Sequence, residues 1–509
     1  MNALDFRKRA IMSVINNVKG FERSASGTTV TLEGCVDDDS IIDYKIYGNC
    51  YQDGEPSIEN PIEVQCVGDR TKNLFDISDY IVDKYSKSLG FSTKDLEIGK
   101  TYILSSKKPL SWFKVSTNSG GYNSVTYQNV DGFYTYAFKM QRNANISETA
   151  TQYIYFSCTI GNLLTFATDI SLFDGYEIQI EESSIVTDYE PYGYKIPITA
   201  SGKNLLNEAD LLNTDNWTFS TSYDIGYFTL DLEEGKTYTI YCKQLKASGN
   251  WGIVLYRGTT AIRNLLQYSG VYSFTATSHH LEFYVGGTYG AYNSIPKLNE
   301  YLQLMIVEGS YTSSTIGDYE PYYEPITTNI YLDEQLRGID SYLDCVGYKN
   351  ENVTREVWKL YFTDMSAIYM GEGYASAGNG FYNNGVCFPS GNPNNIYAMK
   401  IMTAGGGFCN KLPNHKGSYY IVTKESLRFG QVQRGIILYT SLDSKDKTEV
   451  FNHIGAEDCY AVYILNNSFE TPITLPKLPT FKGTTIYTVG TSLQPANIEI
   501  KYYSNEKGE

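Results

Sequence analysis

The string Asp-Tyr-Glu-Pro-Tyr occupies residues 188–192 and returns unchanged at 318–322, an interval of 130 residues. Two other strings keep step with it. Lys72-Asn-Leu-Phe-Asp76 matches Lys203-Asn-Leu-Leu-Asn207 at an offset of 131, and Leu96-Glu-Ile-Gly-Lys-Thr-Tyr102 matches Leu232-Glu-Glu-Gly-Lys-Thr-Tyr238 at 136. Three anchors in one order and at nearly one offset describe a duplicated unit. The chain must therefore contain one fold twice, over 69–199 and 200–330, between an N-terminal region at 1–68 and a C-terminal region at 331–509.

Each copy has the same grammar: a Lys-Asn-Leu entry, a Gly-Lys-Thr-Tyr turn into a strand, a tryptophan (Trp112, Trp251), and a last strand before the repeated string. The proline of that string has no N–H and biases the glutamate before it toward extended backbone, which ends the strand. The segments that follow, Gly193 to Ile198 and Tyr323 to Tyr331, read as extended connectors.

Period-two alternation recurs along the chain, as in Tyr176 to Glu181, Leu281 to Val285 and Asn497 to Tyr502, with turn residues between the runs. This pattern predicts a mainly β protein: tandem antiparallel β-sandwich or jelly-roll modules, a short N-terminal helix and a β-rich C-terminal domain. The helix is expected over 3–18, where Leu4, Ile11, Val14, Ile15 and Val18 fall at helical spacing beside the basic Arg7-Lys8-Arg9, a face suited to docking a partner or packing on its own domain. A second helix is expected at Lys445 to Ile454, and a closing pair of strands at Thr484 to Val489 and Asn497 to Tyr503. No heptads are sustained, so the chain reads as a row of compact beads rather than a coiled-coil shaft.

At 509 residues, three or four domains are expected, each able to bury its own core. No apolar run approaches the roughly 18 residues of a membrane span, and the apolar stretch Ala10 to Ile15 is too short for a secretory signal. A soluble chain made in the cytosol, without membrane insertion, is the expectation. A net charge of −16 argues against nucleic acid and anionic membranes, because phosphate binding needs a basic surface. The 47 tyrosines suit half-exposed strands and equally suit sugar or protein surfaces.

Catalytic motifs do not emerge. Gly99-Lys-Thr101 and Gly235-Lys-Thr237 resemble the end of a phosphate loop, but the glycine required five residues earlier is Lys94 or Leu230, so both read as strand-entry turns. Gly371-Glu-Gly-Tyr and Gly378-Asn-Gly-Phe lack the third glycine of a dinucleotide fingerprint. The nine scattered cysteines contain no CxxC, which predicts reduced, mostly buried thiols; with four histidines, a transition-metal site is not expected. Asp37-Asp-Asp39 reads as a solvated turn before a cation site. A glycosidase needs only two suitably spaced carboxylates, which 57 acidic residues could conceal, but duplication of a module more usually adds binding surface and avidity. No cofactor, catalytic residue or metal ligand is expected.

The run Gly48-Asn-Cys-Tyr-Gln-Asp-Gly-Glu-Pro-Ser-Ile-Glu-Asn-Pro-Ile-Glu-Val-Gln-Cys-Val-Gly68, the Lys-Asn-Leu entry, the Tyr-Glu-Pro-Tyr closure, and Phe469 to Thr485 followed by Gln494-Pro-Ala-Asn-Ile-Glu-Ile form an ordered set. It resembles the minor structural tail proteins of phages and phage-tail-like particles of Gram-positive bacteria. The resemblance covers most of the chain; the second module departs from it with Leu206-Asn207 in its entry and Met305 to Ser310 before its closure.

The resemblance implies a baseplate or tail-tip component with carbohydrate-binding-like β modules, forming a homotrimer, attached through its N-terminus and contacting the host surface distally. Its partners would be other tail and baseplate proteins and a host-surface glycan or protein, its location the virion or particle, assembled in the bacterial cytoplasm. The expected activity is non-enzymatic receptor binding, with Trp112 and Trp251 as candidate ligand contacts, although core packing is the more ordinary role for each. The alternatives are a purely structural baseplate protein and a cell-wall glycan depolymerase.

Overall fold

The computed structural model describes residues 22–35, 41–83, 88–110, 112–115, 123–124, 128–130, 132–140, 153–160, 163–219, 225–246, 251–257, 260–264, 269–276, 280–287, 295–362, 368–370, 382–389, 407–414, 426–429, 436–440, 442, 446–455, 458–492 and 494–503. The expected helix at 3–18 and the acidic run at 37–39 lie outside them. Within them the protein is mainly β, built from several antiparallel sheets and a few short helices. Among those helices is Lys447–His453, which lies inside the span expected for it and is capped by the Asp446 carboxylate accepting from the N–H groups of Thr448 and Glu449.

The strands follow from residue alternation. Tyr194–Ser201 buries Ile196, Ile198 and Ala200 on one face, and Asn352–Tyr361 buries Val353, Arg355 and Val357 on one of its faces. Each large apolar side chain so removed from water contributes about 1.5–3 kcal/mol.

The largest core belongs to a sandwich assembled from distant parts of the chain. One sheet runs Glu22–Gly27, Asn497–Tyr503, Ile41–Tyr47, Cys345–Gly347, Asn352–Tyr361, Tyr460–Pro472 and Gly407–Cys409; the other runs Thr29–Cys35, Gly483–Val489, Tyr194–Ser201 and Ile326–Leu332, with Asp69–Arg70 also paired to Tyr194–Ser201. Between them lie Val30, Leu32, Ile196, Ile198, Ile330 and Tyr487 from one sheet and Tyr44, Ile46, Val346, Ile498, Ile500 and Tyr502 from the other. The two closing strands sit in opposite sheets rather than forming a hairpin, and each turns its apolar face into the shared core.

This sandwich corrects the row of beads. Residues 1–68 and 331–509 are not separate regions: Ile41–Tyr47 and Glu22–Gly27 flank Asn497–Tyr503, with Glu22 and Ile41 both registered on Tyr503. The connectors after each repeated string are sandwich strands, Ile196 facing Ile330 in register. The boundaries at 199/200 and 330/331 therefore fall inside paired strands.

The repeated units protrude from this frame. The first has the strand order Asn123–Ser124, Trp112–Val115, Tyr153–Ile160, Leu89–Ser92, Tyr80–Val82 in one sheet and Gln128–Val130, Phe133–Lys139, Thr101–Ser106, Gln179–Glu181 in the other. The second repeats this order with Thr260–Asn264, Trp251–Arg257, His280–Gly287, Ile225–Asp231, Thr218–Phe219 and with Gly270–Thr275, Thr237–Gln244, Leu302–Glu308. Each has its own core, around Phe91, Leu104 and Phe156 in one and Phe228, Ile240 and Ile306 in the other. A third protrusion, between Phe362 and Cys459, packs Phe429, Leu438 and Phe451 beneath Tyr460–Pro472.

Ile498 has no exposed surface although only eleven residues of the sequence follow it. Ile498→Ala is expected to cost about 2–5 kcal/mol in urea denaturation, whereas Ile185→Ala, at an exposed site, should stay within about 0.5 kcal/mol.

Candidate functional site

The motifs that recur in the sequence meet at the necks where the modules leave the frame. In the first neck the Asn73 amide donates to the carbonyls of Ile178 and Glu190 and its oxygen accepts from the N–H groups of Phe75 and Ile180. In the second, Asn204 donates to the Glu320 carbonyl and accepts from the N–H groups of Leu206 and Ile306. The entry asparagine thus holds the last module strand and the exit string together, and the Thr71 N–H donates to the Gly193 carbonyl at 3.0 Å to close the frame side.

The exit glutamates complete these necks. Glu190 accepts from the Lys72 N–H at 3.0 Å and pairs with Lys195 at 2.7 Å. Glu320 pairs with Lys203 at 2.6 Å and accepts from the Thr484 N–H at 2.8 Å and the Thr484 hydroxyl at 3.0 Å, which fastens the C-terminal Lys482-Gly-Thr-Thr485 to the second exit. Gly483, at φ +95°, allows this approach: a Cβ there would stand 2.6 Å from the Glu320 carboxylate carbon. The tyrosines of the string are engaged too, Tyr192 donating to Asp95 under the Arg70 guanidinium and Tyr319 donating to Glu208. The string is a structural joint rather than an open acidic-aromatic site.

The Gly-Lys-Thr turns are strand entries. Gly99 and Gly235 take positive φ, and their N–H groups donate to the carbonyls of Met140 and Ala276. Lys100 pairs with Glu97 and Glu182, and Lys236 with Glu233 and Glu308, at the same positions of each copy.

A recess opens where the long strand Tyr460–Pro472 bulges. Its pairing with Asn352–Tyr361 jumps from Val357 facing Ile464 to Arg355 facing Phe469, so Glu356 stands opposite Leu465, Asn466, Asn467 and Ser468. Bulges of this kind re-aim side chains at functional edges. With Tyr342 these residues line a polar cavity of about 390 Å³. Asp344 anchors the strand that carries Glu356: fully buried, it accepts from the N–H groups of Glu356 and Val357 and is paired with Arg355 at 2.9 Å. An aromatic ring, two amides, a hydroxyl and a carboxylate suit hydrogen-bonding ligands with an apolar face, such as sugars. The lining brings one carboxylate, so the paired-carboxylate arrangement of glycosidases is not assembled there. No single-sequence signal marks this recess, because the bulge exists only relative to its partner strand.

Trp112 and Trp251 open equivalent strands, Trp112 in register with Ser124 and Ser157, and Trp251 with Gly287. Their backbone places them at corresponding sheet positions; their side chains lie outside the described residues. The seven cysteines whose side chains are described are free thiols, six of them buried. No group of three or more potential metal-ligating side chains occurs among the described residues. Compared with models of known families, with characterised proteins and with solved structures, the chain matches none.

At Glu190, burial raises the carboxyl pKa, but the Lys195 ammonium and the Lys72 N–H outweigh it and hold the group below the ordinary glutamate range. A depressed folded pKa means stability that is complete at neutral pH and lost as pH falls through that folded value. The stability gap between wild type and Glu190→Gln should therefore be constant above the ordinary glutamate pKa of about 4.3 and shrink below it; a gap unchanged down to the acid transition would contradict the pairing. Asn73→Ala, which strands two buried N–H groups, is expected to cost roughly 3 kcal/mol in the same denaturation assay.

Proposed function

We propose that the chain is a non-enzymatic component of a phage tail or phage-tail-like particle, a rigid frame that carries β modules outward to recognise a host-surface glycan or protein. The observation that carries this reading is the convergence of the resembling motifs on one frame. The 48–68 run pairs Cys50–Tyr51 with Gln65–Cys66, and Val67 bridges to Leu336 within the sandwich. The Lys-Asn-Leu and Tyr-Glu-Pro-Tyr strings form the necks, and the C-terminal motif fastens the second neck and supplies central strands. A frame with closed necks keeps both modules at short range on one body, which gives the second a high effective concentration once the first is bound. Attachment through the N-terminus and assembly as a homotrimer belong to the same proposal.

A second reading, a purely structural baseplate protein, draws on one surface. The edge strand Tyr80–Val82 of the first module leaves Tyr80, Ile81 and Val82 between 39% and 56% exposed, beside the exposed Ile77. Unpaired apolar edges join other chains unless they are covered. Here a neighbouring tail subunit would be the cover.

Module excision separates the readings. Because Thr71 and Gly193 are hydrogen-bonded across the first neck, residues 72–191 can be replaced by two or three glycines without stretching the frame. The full chain is expected to bind whole Gram-positive cells or purified wall polymer, and excision of the recognising module to abolish binding while the frame stays folded. Full chain that assembles into tails yet binds no cells would overturn receptor recognition, and release of reducing sugar from the polymer would overturn the non-enzymatic reading. In the same assay Tyr342→Ala and Asn466→Ala report whether the recess contributes; a contact there should weaken binding about tenfold for each lost polar or stacking partner. Ile81→Lys with Val82→Lys should leave folding intact and reduce association with other tail proteins.

A further inference from the structure

The sequence contains no cysteine spacing that marks a disulfide, but the fold brings two cysteines together. Cys50 and Cys66 are direct Cα partners across the antiparallel pair Cys50–Tyr51 and Gln65–Cys66, with their sulfurs 3.4 Å apart. Directly opposed residues of antiparallel strands have Cα atoms about 4.5–5.5 Å apart, inside the window of roughly 4.4–6.8 Å that a disulfide spans. Closing the bond needs a small approach of the two sulfurs and no rearrangement of the strands.

The surroundings favour oxidation chemistry. The Gly338 N–H donates to the Cys50 sulfur at 3.4 Å, and the next residue back, Arg337, has a nearly buried guanidinium. Its Nη2 pairs with Glu334 at 2.8 Å, while its Nη1 has no hydrogen-bond partner among the described residues. The hydrogen bond from Cys50 lowers the Cys66 pKa and, with the Arg337 and Lys359 charges, outweighs the effect of burial. A thiolate beside a second thiol and a cation is oxidised once an oxidant reaches it; Cys50 and Cys66 are only 9% and 3% exposed, so the oxidant gains them when the short strand pair opens.

We propose that Cys50 and Cys66 form an oxidisable dithiol that closes to a disulfide when the protein meets a peroxide-class oxidant. The Cys66 thiolate attacks one peroxide oxygen, the O–O bond breaks, and hydroxide leaves to take up a proton as water, which makes Cys66 a sulfenic acid. The Cys50 sulfur then attacks the Cys66 sulfur; the S–S bond forms, the S–O bond breaks, and the oxygen leaves as water with the Cys50 proton. Two thiols and one hydrogen peroxide give one disulfide and two waters: the sulfurs lose two electrons and the peroxide gains them.

The bond would staple a segment that ties the frame to the third protrusion. Between the two cysteines, Gln52 donates to the carbonyls of Ile62 and Cys409, and the Ile62 N–H donates to the Asn410 carbonyl. Oxidation closes a loop in the unfolded chain and so raises stability. A frame that forms reduced would harden on exposure to an oxidising exterior.

The test uses the full chain, treated with hydrogen peroxide or kept in dithiothreitol, then denatured, alkylated and digested without reduction. The expected result is a linked peptide pair containing Cys50 and Cys66, loss of two alkylated sites, and a thermal unfolding midpoint several degrees higher than in the reduced protein. Cys50→Ser should abolish that shift and leave Cys66 as a sulfenic acid trapped by dimedone. Cys409 and Cys459 also stand with sulfurs 3.7 Å apart, so peptide mapping must assign the bond. Full alkylation of Cys50 and Cys66 after peroxide, or a bond found between Cys409 and Cys459 alone, would overturn the proposal.

Discussion

One buried amide at each neck, Asn73 in the first and Asn204 in the second, ties the chain's entry into a module to its exit. That tie adds to the strand ladder and the apolar core that already hold together the strands leading in and out of an excursion of about 130 residues. With it, Tyr194–Ser201 and Ile326–Leu332 emerge beside one another and become neighbours in a single sheet. The entropic cost of closing so long a loop grows slowly with its length, and a folded module has already met most of it internally. The neck therefore needs a few well-directed hydrogen bonds, and a buried asparagine with two donors and two acceptors supplies them.

Those necks explain why the motifs are spread over the chain. Residues 48–68, the two entry strings, the two exit strings and the C-terminal 482–503 all bear on the same sandwich, and each touches another. Asn73 donates to Glu190, Asn204 donates to Glu320, Glu320 accepts from Thr484, and Gln494 donates to Gln65. The Asn466 recess lies within the same frame, between its paired strands Asn352–Tyr361 and Tyr460–Pro472.

Much of the architecture was legible in the sequence and some of it was not, for a physical reason. The duplicated string and its companions located both modules, because a repeat is a property of one chain read along itself. Period-two alternation marked Asn497–Tyr503 as a strand because one face is buried. It could not say that this strand lies between Glu22–Gly27 and Ile41–Tyr47, since any inward-facing β strand carries the same alternation. Pairing partners hundreds of residues apart leave no local trace, and the connectors looked like linkers for that reason. The recess and the Cys50–Cys66 contact share this origin. The asparagine after each entry lysine, recurring with the exit glutamate at one offset, was the available hint that entry and exit touch.

The two ends of the chain build one cooperative frame from which independent modules protrude. Hydrogen exchange on a chain truncated after residue 492 reports on that frame, because the truncation removes a strand held between two N-terminal strands. Amides of Ile41–Tyr47 should lose protection along with those of Cys345–Gly347, while Thr101–Ser106 and Thr237–Gln244 in the modules stay protected. Retained protection at Ile41–Tyr47 would contradict a shared frame, and loss of protection in both modules would contradict their independence.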